Sequence, residues 1–220
     1  MLTGGILAWR SETSRSIVKN EDLLEMVKLM ELGVAREKLY PIRFTGDKQE
    51  ERYQASIAVF DEKGTFLGDS EKKSTDKKLW LSKRNAMRLR HQIERDYEQA
   101  TGYNMATENL YISDVGLVFG GTTMQTIHND DHTEEVPEDF NQRNHIVPES
   151  GTILYGLKDE PENRCRIRFA KDNQVDKMEL VKVYSGMAVF YAGWVYHAGV
   201  SHGGRNASTR MYVDLSEKPE

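Results

Sequence analysis

One cysteine, Cys165, occurs in the 220 residues. A lone thiol closes no internal disulfide and suits a reducing compartment. With neither a paired general base nor an elbow motif around it, nucleophilic cysteine catalysis is excluded. Also lacking is any apolar run near the ~20 residues that cross a bilayer. The opening stretch "MLTGGILAWRSE" has no basic n-region and no long apolar h-region of a secretory signal. The expectation is an intracellular, cytoplasmic protein with no membrane partner. Basic charge is not in excess either: 30 Lys and Arg stand against 35 Asp and Glu, a net charge of −5, which gives no global attraction to nucleic acid.

What is present is a chain 38% hydrophobic and 30% charged, the balance of a soluble globular domain with a very polar surface and enough length to bury a core. The front half reads as mixed. Asn20 followed by "EDLLEMVKLMELG" offers an N-cap, an acidic first turn, an apolar stripe and a glycine stop, which predicts a helix over 21–33. "YQASIAVFDEKGTFLGD" reads as a β-hairpin turning at "DEKG". "SEKKSTDKK" is polar and aperiodic, as a loop should be.

Against the acidic average, the segment 77–95 carries Lys77, Lys78, Lys83, Arg84, Arg88, Arg90 and Arg95 with Glu94 as its one acidic residue, a local charge of +6. Leu89, Ile93 and Tyr97 recur every four positions, as in an amphipathic helix. Such a helix packs on the core with a solvated basic face, or serves an acidic partner or a nucleic acid backbone.

From about Leu110 the texture changes to short strands: "NLYISDVGLVF", "TTMQTIHND", "GTILYGL", "RCRIRFA", "MELVKVY", "MAVFYAG" and "RMYVDL". Tight polar connections between them predict an antiparallel sandwich or barrel. On this scaffold His128 and Asp130 fall at the end of one strand, two residues apart and so on one face. His197 closes a later strand, 69 residues on (197 − 128). Two imidazoles and a carboxylate on one side of an iron leave three positions open, the arrangement of a non-haem Fe(II) oxygenase.

The order of the surrounding segments resembles the Fe(II)- and 2-oxoglutarate-dependent oxygenases over roughly residues 110–216, most closely their prolyl-hydroxylase and phytanoyl-hydroxylase branches. The points of resemblance are the H-x-D, the strand "GMAVFYAGWVYH" before a distal histidine, the intervening "GTILYGL" and "CRIRFA", and "NASTRMYVDL" after it. The resemblance implies an α+β, mainly β fold: a double-stranded β-helix, or cupin-like jelly roll, with N-terminal helices packed on one face. It implies one domain over 1–220, in which 1–109 form a helical and hairpin support and 110–216 the core. It implies a metal held by His128, Asp130 and His197, with Fe(II), 2-oxoglutarate and O2 as cofactor and co-substrates. Arg210 would grip the far carboxylate of 2-oxoglutarate, with Ser208 as a further contact, and Tyr155 would either donate its hydroxyl to 2-oxoglutarate or be a core tyrosine.

Arg210 follows His197 by thirteen residues, longer than the family's usual spacing. His202 therefore stands beside His197 as a distal ligand, and Arg205 beside Arg210 as the anchor. Asp131 and His132 read as neighbours of the metal ligands or lid residues, and "HTEEVPEDFNQRNHIVPES" as an acidic flap or solvated loop. His145 and His91 lack a partner at ligand spacing. Three classes of function fit: a hydroxylating dioxygenase acting on a protein side chain or small metabolite, a metal-binding cupin-like protein that does not use 2-oxoglutarate, and a nucleic-acid-directed enzyme or binding module using the basic helix.

Overall fold

Runs of β-branched and aromatic residues, broken by polar turns, build ten strands, while two stretches of 3.6-residue apolar periodicity and one short turn build three helices, all counted among the described residues. The structure, a computed structural model, describes residues 5–17, 19–31, 40–41, 53–68, 80–119, 127–131, 148–157, 166–169, 179–199 and 209–219. In chain order the elements are β1 (Ile6–Arg10), α1 (Glu12–Ile17), α2 (Glu21–Glu31), β2 (Tyr40–Pro41), β3 (Tyr53–Val59), α3 (Lys83–Thr101), β4 (Leu110–Phe119), β5 (Gly151–Gly156), β6 (Arg166–Phe169), β7 (Glu179–Lys182), β8 (Met187–Ala192), β9 (His197–Gly199) and β10 (Thr209–Glu217).

The strands form an antiparallel sheet of seven, ordered β1-β8-β5-β10-β4-β3-β2, and a smaller one ordered β7-β6-β9. His128 bridges to His197 and so extends the small sheet beyond β9. From β4 onward the chain passes between the sheets: β4 in the large, His128 on the small, β5 in the large, β6 and β7 in the small, β8 in the large, β9 in the small, β10 in the large. The helices cover the outer face of the large sheet. There α2 lies against β4 and β10, and Tyr97 of α3 meets Phe190 of β8 edge to face, with ring centroids 6.0 Å apart.

The predicted helix over 21–33 is α2, ending at Glu31. The basic helix is shifted from its predicted span of 77–95: α3 starts at Lys83 and runs on to Thr101. Its start is set by Ser82, whose Oγ accepts from the Asn85 amide, and its end by Gly102, at φ +80, where the left-handed conformation favours glycine. Within these bounds five basic side chains face three acidic ones, a net charge of +2 in place of the +6 read from 77–95. Arg90 is not part of a free basic face: it pairs with Glu94 and donates to the Gly64 carbonyl.

The "DEKG" turn forms, with Gly64 N donating to Asp61 O. Its second arm folds back on the end of β3 through the bridge of Phe66 to Phe60, with Asp61 N donating to Thr65 O and Leu67 N to Val59 O, while the length of β3 is flanked by β2 and β4. Because β1, β2 and β3 are strands of the large sheet, the stretch before residue 110 is woven into the sheet as well as packed upon it. "SEKKSTDKK", Lys77 and Lys78 lie outside the described residues.

Asp96, 6% exposed, ties three parts of the chain together. Its Oδ2 accepts from Trp9 Nε1 at 3.0 Å, Ser11 Oγ at 2.8 Å and Tyr155 Oη at 3.2 Å. Burial and the Asp96 carboxylate push the Tyr155 hydroxyl well above its ordinary pKa, so it stays protonated as a donor. Removing the shared acceptor strands three donors, at about 1–3 kcal/mol for each one left buried. Asp96→Ala should therefore lose roughly 3 kcal/mol or more of unfolding free energy in a urea titration, and a loss below about 1 kcal/mol would show that the tie is not structural.

Candidate metal centre

His128 and His197 come together through the main chain. His128 N donates to His197 O at 3.1 Å and His197 N to His128 O at 2.8 Å. This reciprocal pair sets two side chains on the same side of the ladder, close enough for their rings to lie 4.4 Å apart at 54°. Asp130 follows in a turn off the strand rather than at its end, held by its amide donating to Gly193 O at 2.9 Å. A Cβ at Gly193 would meet the carboxylate of Asp131, which would have to turn aside to admit it.

His197 was expected to close a strand. Instead β8 ends at Ala192, a turn crosses between the sheets, and His197 opens β9.

Asp130 Oδ1 lies 3.7 Å from Nε2 of His128 and 3.7 Å from Nε2 of His197, and the three donor atoms fall within 4.8 Å of one another. Donors at right angles on one ion, with bonds of about 2.1 Å, sit about 3 Å apart, so Asp130 would close on each imidazole by about 0.7 Å, and the widest donor pair by up to about 1.8 Å, for the trio to share a metal. The tautomer fits as well: His197 Nδ1 lies 2.9 Å from the Val195 carbonyl, which accepts its proton and leaves the Nε2 lone pair for an ion. Tyr191 stacks against the same ring at 4.4 Å.

The donors open onto a cavity of about 420 Å³ between the two sheets. The inward face of β10 brings Arg210, Tyr212, Asp214 and Ser216 to its wall, and β5 adds Thr152 and Leu154, each set at the two-residue spacing of a strand face. Arg210 is 2% exposed. Asp131 also lines the cavity. Tyr155 does not: it faces the helices, fully buried, and its hydroxyl is given to Asp96. Its expected contact with a cavity ligand is therefore corrected by the pleat, which turns residue 155 away from the side on which Thr152 and Leu154 lie.

Thr152, Tyr191, Tyr212 and Asp214 were not singled out in the sequence. The signal for Tyr212 and Asp214 is their alternation with Arg210 along "RMYVDL". Ser208, His202, Arg205, His132, His145 and the acidic stretch 132–147 lie outside the described residues. His91 sits exposed on α3, beside Glu94.

No protein-family model and no curated protein sequence matches the chain. Solved structures do resemble it. A 2OG-Fe(II) oxygenase family oxidoreductase from Burkholderia pseudomallei superposes with a TM-score of 0.57 at 10% identity, over 96% of this chain and 85% of that one. The epimerase SnoN of nogalamycin biosynthesis, solved with Fe3+, alpha ketoglutarate and nogalamycin RO, gives 0.57 at 12% identity over 98% and 82%. A Pseudomonas putida prolyl-4-hydroxylase gives 0.50 at 14% over 98% and 94%. The fold is thus one shared with the structures of 2OG-Fe(II) oxygenases.

If the three donors act as one site, His197→Ala should abolish binding of Mn(II) or Co(II) in calorimetry, while His202→Ala binds as the unaltered chain does. The reverse order would move the distal donor five residues along the chain.

Proposed function

We propose that the chain is an Fe(II)- and 2-oxoglutarate-dependent dioxygenase that hydroxylates a small metabolite or a protein side chain, releasing succinate and CO2. The observation that carries this reading is the convergence of His128, Asp130 and His197 on a cavity whose far wall presents the buried Arg210. The passage of the chain between two sheets is read as a double-stranded β-helix, with the donors on the small sheet and the arginine on the large.

In this reading His128, Asp130 and His197 hold Fe(II) from one side, leaving its cavity side for small ligands. Arg210 pairs its guanidinium fork with the distal carboxylate of 2-oxoglutarate and so orients the keto acid toward the metal. When bound, iron and 2-oxoglutarate supply the activation of O2 that couples decarboxylation to oxidation of the substrate. The protein contributes alignment: Tyr191 packs against the distal imidazole, and the two sheets flank the cavity.

Two observations bear on the substrate. The cavity has the volume of a small-ligand site. The solved neighbours include an enzyme described with a small molecule, nogalamycin RO, and one described as a prolyl-4-hydroxylase. The nucleic-acid reading draws no support from α3, which carries a net +2 and packs on the face of the large sheet turned away from the cavity.

Incubation with Fe(II), 2-oxoglutarate and O2 should produce succinate, and Arg210→Ala should raise the apparent KM for 2-oxoglutarate about thirtyfold or more, since deleting one partner of a buried charge pair costs on the order of 2–5 kcal/mol. Metal binding should change little in that variant. Metal binding without succinate formation, and unchanged by loss of Arg210, would instead identify a cupin-like protein that does not use 2-oxoglutarate.

A further inference from the structure

Asp130 is the least anchored of the three donors. Its side chain is 40% exposed, against 21% for His128 and 7% for His197, and it sits in a turn rather than a ladder. A carboxylate on such a turn rotates about its terminal torsion, which is broad and two-fold. Either oxygen, or both together, then presents to an ion. Yet Oδ1 is equidistant from the two Nε2 atoms, and Oδ2 points the other way, toward the Thr152 hydroxyl at 3.4 Å.

Thr152 is itself well fixed. It is 7% exposed on β5, flanked by β8 through Tyr191 and by β10 through Asp214. Being β-branched, it has little freedom at χ1. Its hydroxyl lies 3.0 Å from Asp214 Oδ1, so its oxygen is held between two carboxylates with one proton to share. The one proton serves one carboxylate at a time, so the shorter contact to β10 and the longer one to Asp130 are alternatives reached by turning the hydroxyl about its C–O bond. The longer one lies at the outer limit of hydrogen bonding.

We propose that Thr152, fixed on β5, is a positioning residue for the metal-binding carboxylate: its hydroxyl turns from Asp214 to donate to Oδ2 of Asp130, so that Asp130 meets an ion through Oδ1 alone. One-oxygen ligation keeps an extra coordination position for small ligands, and a carboxylate that swung to two-oxygen ligation would fill it. The inference rests on the donor assignment above. It adds a hydrogen bond that reaches the centre from the large sheet, whereas the two histidines are carried by the small one.

The test is metal binding, measured with Mn(II) or Co(II) alone by calorimetry and, for Co(II), by visible absorption. Thr152→Val keeps the shape and removes the hydroxyl. It should raise the metal Kd about tenfold or more, the usual effect of losing a partner of a metal ligand, and change the Co(II) spectrum. Thr152→Ser should restore affinity to within about threefold and recover the spectrum, which a merely structural role for the methyl-bearing side chain would not do. Wild-type affinity and spectrum in Thr152→Val would overturn the proposal, as would a Ser variant as weak as Val. His128→Ala serves as the reference: if it binds as tightly as the unaltered chain, the donor assignment fails, and the role of Thr152 with it. Loss in His128→Ala with no change in Thr152→Val would remove the positioning role alone.

Discussion

The centre depends on one reciprocal pair of main-chain hydrogen bonds, His128 to His197 and back. Residues 69 apart become neighbours through it. Its register is set by the next strand, since β9 pairs along β6 through Phe169 with His197, Arg168 with Ala198 and Ile167 with Gly199. A slip of one residue would turn His197 to the opposite face of the sheet. A three-residue strand is too short to specify register alone, so the glycine turn at 193 and the β6 ladder have to place it together. That explains why Gly193 is crowded: it carries the chain across to β9, accepts the amides of Asp130 and Asp131 on its carbonyl, and packs against the Asp131 carboxylate.

The large sheet sets the electrostatics. Arg210 and Asp214 lie on the same face of β10, four residues and therefore about 13 Å apart along the strand. One wall of the cavity thus has a guanidinium toward one end and a carboxylate toward the other, with Asp130 close to the carboxylate end through Thr152. A ligand carboxylate would be drawn to the Arg210 end of this wall and repelled from the Asp214 end. The charge separation comes from strand pitch and pleat alone, since both residues belong to a single strand.

The sequence showed some of this plainly and hid the rest for identifiable reasons. Capping chemistry made α2 legible, and the H-x-D and later histidine pointed to ligand chemistry that geometry then drew together. The start of α3 is set by the Ser82 cap, a signal that the run of basic and apolar residues through 77–95 conceals. β9 escaped because three residues make no periodic pattern. Tyr155 was assigned to the cavity because every residue of β5 is buried. With both faces covered, alternation between apolar and polar disappears, and nothing in "GTILYGL" tells which parity faces inward.

The cost of ordering the centre is unevenly distributed among its ligands. His197 is buried, with its Nδ1 proton committed to the carbonyl two residues before it and its ring stacked on Tyr191; its tautomer and orientation are set by folding, with little left to pay on binding an ion. His128 shares its backbone pairing and ring contact. Asp130 is the donor whose rotamer folding leaves freest, and it also supplies the negative charge that a dication needs most. Affinity and coordination geometry should then respond more to the surroundings of Asp130 than to those of either imidazole, and those surroundings are the turn at Gly193 on one side and the Thr152–Asp214 pair on the other. Both adjoin the large sheet, Gly193 as the residue after β8 and Thr152 and Asp214 on β5 and β10. The imidazoles are carried by the small one, so a change in the spacing of the sheets would act on the centre through this one carboxylate.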